Sequence, residues 1–107
     1  RGFQGYPIGT VAFYGPDNRR ATKVAVGISH NDRGTVREME RWFSDDADVR
    51  DDALIGGQVL SFLQHHHVRS VVVGPGILGC PHEEGIDYPL GGVCPNCPYW
   101  AGRERPI

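Results

Sequence analysis

The chain has 107 residues, of which 39% are hydrophobic and 22% charged, with a formal net charge of −2. This is enough for one domain with a single core, and the near-neutral balance offers no general attraction for nucleic acid or a membrane surface. No apolar run reaches the roughly 18 residues that span a bilayer, and the opening residues lack the pattern of a signal peptide, so the expectation is a cytoplasmic protein without membrane association.

Residues 1–9 (RGFQGYPIG) are punctuated by Gly and Pro and read as loop. Thr10 to Tyr14 is rich in β-branched and aromatic residues and predicts a strand. In Gly15-Pro16-Asp17-Asn18, proline fixes φ and Asp17 or Asn18 tolerates positive φ, which marks a turn. Thr22 to Ile28 predicts a second strand, so the chain opens with a hairpin whose turn-side end carries Arg19, Arg20 and Lys23.

A helix is predicted from Thr35 to Phe43. Val36, Met39 and Phe43 fall at i, i+3 and i+7, and Thr35 to Glu38 matches a capping box. Residues 44–52 form an acidic connector, in which Asp51 or Asp52 can cap a second helix, Ala53 to His66. Ile55, Val59, Phe62 and Leu63 form its apolar stripe. Val68 to Val73 predicts a third strand, and Gly74-Pro75-Gly76 reads as a connecting turn. The order β-β-α-α-β gives an α+β fold: a small three-stranded sheet (β-hairpin, two helices, strand) with a C-terminal zinc-knuckle-like site. Residues 1–107 are expected to form a single domain, with 77–105 as a metal-binding subregion packed on the core.

The three cysteines of the chain all lie near its C-terminus, as Cys80-Pro81-His82 and Cys94-Pro95-Asn96-Cys97. Two close pairs of thiolate and imidazole donors, joined by a short gap, suit one tetrahedral Zn2+ ion. Cys80, His82, Cys94 and Cys97 are therefore the predicted ligands. A Cys94–Cys97 disulfide with Cys80 free is the alternative. The prolines after the cysteines stiffen each turn. Glu83, Glu84, Asp87 or Tyr88 could orient His82 from behind.

His82-Glu83-Glu84 followed by Cys94-Pro95-Asn96-Cys97 resembles the H-x-E…C-x-x-C pattern of zinc nucleoside deaminases. The resemblance implies His82, Cys94 and Cys97 as ligands, with Glu84 as general acid and base beside a zinc-bound water. The sequence departs from that pattern in two ways. Only 11 residues separate the halves, and Cys80 stands ready for the position a water would need. The expectation is a structural Cys/His/Cys₂ site in a nucleic-acid- or protein-binding regulatory module. The alternative is a zinc-dependent hydrolase or deaminase-like enzyme using Glu83 or Glu84.

Other clusters carry less. His65, His66 and His67 are consecutive, so on a helix they point apart; they suit the negative end of its dipole. Residues 74–76 lack the Lys and Ser/Thr of a phosphate loop, and the acidic stretch 45–52 lacks the glycine and closing glutamate of a calcium loop. Arg19, Arg20, Lys23, Arg103 and Arg105, with Tyr99 and Trp100 beside the metal motif, form a basic and aromatic set. Such a set suits single-stranded RNA or a protein groove, although Tyr99 and Trp100 also suit packing of the knuckle on the core. A small-molecule substrate is not expected.

Overall fold

The most deeply buried strand is hydrogen-bonded on both sides, and the rest of the fold is arranged around it. The computed structural model describes residues 5–31, 36–45, 47–83, 86–90, 94–95 and 97–100. Strands β1 (Ile8–Tyr14), β2 (Lys23–Ser29), β3 (Val36–Phe43) and β4 (Ser70–Ile77) and helix α1 (Ala53–His65) are its main elements. A 3₁₀ turn, Val49–Asp51, precedes α1 and another, Pro98–Trp100, ends the described chain. The strand order is β3-β2-β1-β4. β2 is antiparallel to both neighbours, and β4 runs parallel to β1.

Alternation along the strands separates two faces. Val24, Val26 and Ile28 of β2 and Val11 of β1 point to one side, where they pack with Ile55 and Leu63 of α1, Val49 and Ile77. The predicted stripe of α1 is the one it buries, with Val59 and Phe62 half-buried beside Ile55 and Leu63. Gly9 lets α1 approach, because a Cβ there would run into the Leu63 side chain. Asp52 caps α1, its carboxylate accepting from Ile55 N at 3.0 Å.

Among the described residues the sheet has four strands and the fold one α-helix, against the predicted three and two. The difference lies in residues 36–43, which form β3 rather than a helix. Met39 and Phe43 share a strand face as readily as a helix face, since both are odd-numbered. A bulge between Ile28 and Ser29 leaves Arg37 as an extra residue and brings Val36 to the same side. A Cβ on Gly27 would touch both Val36 and Met39. Trp42 points the other way and meets Phe62 edge to face at 5.9 Å. An edge of apolar β2 needed a partner, and that long-range demand overrides local helix propensity. Thr35, the proposed capping residue, lies outside the described residues. Gly74-Pro75-Gly76 is not a connecting turn but lies within β4. There Val73 pairs with Val11 and Ile77 with Phe13, so the extra residues bulge out opposite Ala12. Gly76 has φ of 57°, a conformation that glycine adopts freely.

Two points tie the hairpin turn to the rest. A Cβ on Gly15 would fall on the carbonyl oxygen of Arg20. Asp48 accepts from Ala21 N at 3.1 Å and Arg50 N at 2.9 Å, and pairs with the Arg50 guanidinium at 2.6 Å. That guanidinium, helped by the two amides against partial burial, holds the Asp48 carboxyl well below the usual carboxylate range.

Gly15→Ala is expected to lower the melting temperature by roughly 5–15 °C, because backbone rather than a flexible side chain must yield; calorimetry checks it. Asp48→Asn tests the second tie. A depressed carboxyl stabilises the fold above its unfolded value of about 4 and ceases to do so as pH falls. The stability gap between the two proteins, from denaturant titrations, should be widest near neutrality and close progressively below about pH 4.

Candidate metal centre

Past β4 the chain continues along β1. Leu78 N donates to Phe13 O at 2.8 Å and Gly15 N to Gly79 O at 2.9 Å. These bonds deliver Cys80 to the end of the hairpin. Pro81 follows, and the backbone N–H of His82 turns back to the Cys80 sulfur at 3.2 Å. A turn closed by Ile86 N and Asp87 N on Glu83 O reverses the chain. Tyr88 is then buried against Cys80, Cys94 and Cys97 in a second small core. The 3₁₀ turn after Cys97 places Trp100 between the two cores, with its indole N–H on Gly15 O at 2.8 Å.

Cys80, His82, Cys94 and Cys97 are positioned to coordinate a metal ion. Their donor atoms all lie within 4.8 Å of one another. His82 Nδ1 is 3.2, 3.4 and 3.5 Å from the sulfurs of Cys80, Cys94 and Cys97. Cys80, Cys94 and Cys97 are 4%, 6% and 2% exposed and His82 is half-buried, so the donor set lies largely out of solvent. All three thiols are free; the alternative Cys94–Cys97 disulfide is not formed. Burial pushes the Cys97 thiol up, and the neighbouring sulfurs of Cys80 and Cys94 add to it. Burial likewise raises Cys80. Crowded sulfurs in an apolar shell resist ionisation, and a bound cation reverses that preference.

The acidic residues of the loop are held by other groups than the ligands. Asp87 accepts from Glu83 N at 2.7 Å. Glu83 pairs with Lys23 at 2.9 Å and with the Arg41 guanidinium, and Lys23 foremost keeps its carboxyl below the usual range. Glu84 lies outside the described residues.

Of the predicted basic and aromatic set, Arg19, Arg20, Lys23, Tyr99 and Trp100 lie among the described residues. Lys23 does not sit on a rim: it is 4% exposed, pointing from β2 under the metal loop. Its ammonium donates to Pro81 O at 3.0 Å and lies 5.4 and 5.6 Å from the ring centres of Tyr14 and Phe43. The alternation of residues 22–28 places Lys23 on the face away from α1, but nothing local shows that a loop covers that end. Arg19 and Arg20 are exposed. Trp100 is half-buried in packing, and Arg103 and Arg105 lie outside the described residues. Among the described residues, His65 to His67 join no donor cluster at the end of α1; His66 meets Phe62 edge to face at 4.6 Å. Among the described residues no helix is long and apolar enough to cross a membrane. Arg41 carries no signal in the sequence, since only the register of β3 against β2 brings it to Glu83; Tyr88, expected behind His82, is buried against the three cysteines.

No protein-family model, no curated protein and no solved structure matches the chain.

Because burial favours the protonated thiols of Cys80 and Cys97, metal uptake near neutral pH must displace protons. Calorimetric titration in buffers of different ionisation enthalpy is expected to find proton release on binding, and affinity that weakens as pH falls.

Proposed function

We propose that the chain is a zinc-binding domain in which Zn2+ on Cys80, His82, Cys94 and Cys97 orders the C-terminal third, and that it serves as a binding module for a protein partner. The observation that carries this reading is the closure of the donor set. Four donors converge, and Cys80 takes the place that a catalytic site leaves to water or substrate. Zinc is favoured by donor chemistry, since thiolates with one imidazole in a four-donor set suit Zn2+ better than harder ions. Tetrahedral zinc, with Zn–S of about 2.3 Å and Zn–N of about 2.0 Å, sets its N and S donors about 3.5 Å apart. The observed separations of 3.2–3.5 Å fit without rearrangement. When bound, the ion supplies cross-linking energy to a segment with little regular structure.

Two features weigh against the enzyme reading. The fourth donor position is filled, and Glu83 is committed as an anion to Lys23 and Arg41, which disfavours a proton shuttle. Charge supports a protein partner over RNA. Burial withdraws Lys23 from the basic set, and Arg41 is neutralised by Glu83. The sheet face away from α1 supports the same choice. It carries a hollow of about 460 Å³, with Ala12, Ala25 and Gly27 at its floor and Val36, Met39 and Val72 along its sides. Val36, Met39 and Val72 are 44%, 43% and 52% exposed, an apolar lining suited to protein contact.

Elemental analysis of the purified protein is expected to give about one zinc per chain. Cys97→Ser should lose the ion together with roughly 15 °C or more of melting temperature. Zinc retained by a folded Cys97→Ser protein would reopen the enzyme reading, and no metal in the wild type would end the zinc reading. Steeply salt-dependent binding of single-stranded RNA, lost in Arg19→Ala with Arg20→Ala, would move the partner to nucleic acid.

A further inference from the structure

A lysine ammonium is among the costliest groups to place inside a protein, and it persists there only with compensating partners. Lys23 is such a group. Its Nζ is fixed by Pro81 O at 3.0 Å and by Glu83 at 2.9 Å, and it sits between the rings of Tyr14 and Phe43. Pro81 is the residue between two of the metal-site donors, Cys80 and His82. Lys23, Arg41, Cys80, His82 and Glu83 also border one hollow of about 270 Å³. The buried cation and the donor cluster are therefore neighbours.

Charge counting shows what this arrangement is short of. Lys23 and Arg41 bring two positive charges, and among the described residues Glu83 is the one carboxylate that either touches. The group carries one surplus positive charge. Three thiolates and a neutral imidazole around a divalent ion carry one surplus negative charge. The two surpluses cancel across a partly desolvated gap, where charges act strongly on each other.

We infer that Lys23 is the counter-ion of the metal centre. It is a positioning residue: it makes no bond to the ion, but its charge offsets that of the loaded site and its N–H holds the Pro81 carbonyl, fixing the turn that presents Cys80 and His82. This inference rests on the zinc reading above. It extends that reading by giving the sheet a part in metal affinity, because groups behind the ligands shift affinity by roughly 10–100-fold.

The experiment is a competition titration of zinc against a chromophoric chelator, on wild type, Lys23→Met, Lys23→Arg and Glu83→Gln, with circular dichroism on each. Lys23→Met keeps an unbranched side chain only one atom shorter and removes its charge. It should weaken zinc about tenfold or more, and Lys23→Arg should recover much of the loss. Glu83→Gln is the decisive control. If Lys23 acts by charge, removing its competing anion leaves zinc affinity unchanged or tighter. If Lys23 serves only to tether the loop through Glu83, Glu83→Gln weakens zinc as much as Lys23→Met does, and the inference is overturned. Affinity in Lys23→Met within twofold of wild type overturns it as well. Should Lys23→Met fail to fold, Glu83→Gln still decides: unchanged or tighter binding supports the inference, and weaker binding overturns it. A wild-type chain that takes up no zinc removes the underlying reading, whereas wild-type binding with an indifferent Lys23→Met removes this inference alone. In the zinc-loaded proteins, alkylation by iodoacetamide should be faster in Lys23→Met than in wild type, because the thiolates lose the cation that lowers their nucleophilicity.

Discussion

Three sulfurs and one imidazole share a small buried volume in which burial disfavours the thiolates of Cys80 and Cys97, and the described residues around them pack on that crowding. The second core holds Cys80, Cys94, Cys97 and Tyr88, with Trp100 leaning in from the side. Among the described residues of the loop, Ile86 and Leu90 face outward, at 76% and 83% exposure. Two aromatic side chains cannot offset the conformational entropy of ordering a segment this long. A four-way cross-link can, because it fixes distant parts of the loop through a single centre. On the zinc reading proposed above, the site and the segment that carries it are one object.

That object is mounted on a small number of backbone atoms at the end of the hairpin. Gly15 gives its N–H to Gly79 and receives the Trp100 indole on its carbonyl. Tyr14 receives Thr22, and Thr22 in turn receives Ser44. The acidic connector joins the same place through Asp48 and Ala21. Elements remote in sequence therefore meet where no side chain fits, which is why glycine stands at the meeting point.

The metal donors were legible in the sequence because their chemistry is local: each pair lies within one turn, and thiols clustered at such spacing have few other uses. The helix at 53–65 was legible for a similar reason, with an Asp52 cap and an apolar stripe inside a single element. What depended on distant partners was not. Residues 36–43 carry an apolar pattern that suits either period, and β2, some ten residues away, decided between them. Lys23 reads as an exposed end of a hairpin until the loop from Pro81 to Glu83 is laid over it. Glu83, in turn, reads as a proton carrier by its place after His82, and its commitment to Lys23 and Arg41 follows only from the register of β2 with β3.

The bulge in β4 has a bearing on how this domain behaves in company. β4 forms an edge of the sheet, and its Val71, Val72 and Val73 are 37%, 52% and 57% exposed. A run of valines on an open edge is the usual seed for adding strands from other molecules, end-stage fibrils included. Immediately beyond it, Pro75 offers no amide to an incoming chain, and Gly76 turns the backbone out of the extended region. A docking strand finds only a short stretch of ladder before the track is broken, too little to stabilise a pairing by itself. The Gly-Pro-Gly sequence thus shortens the ladder that this edge of the sheet offers to another strand.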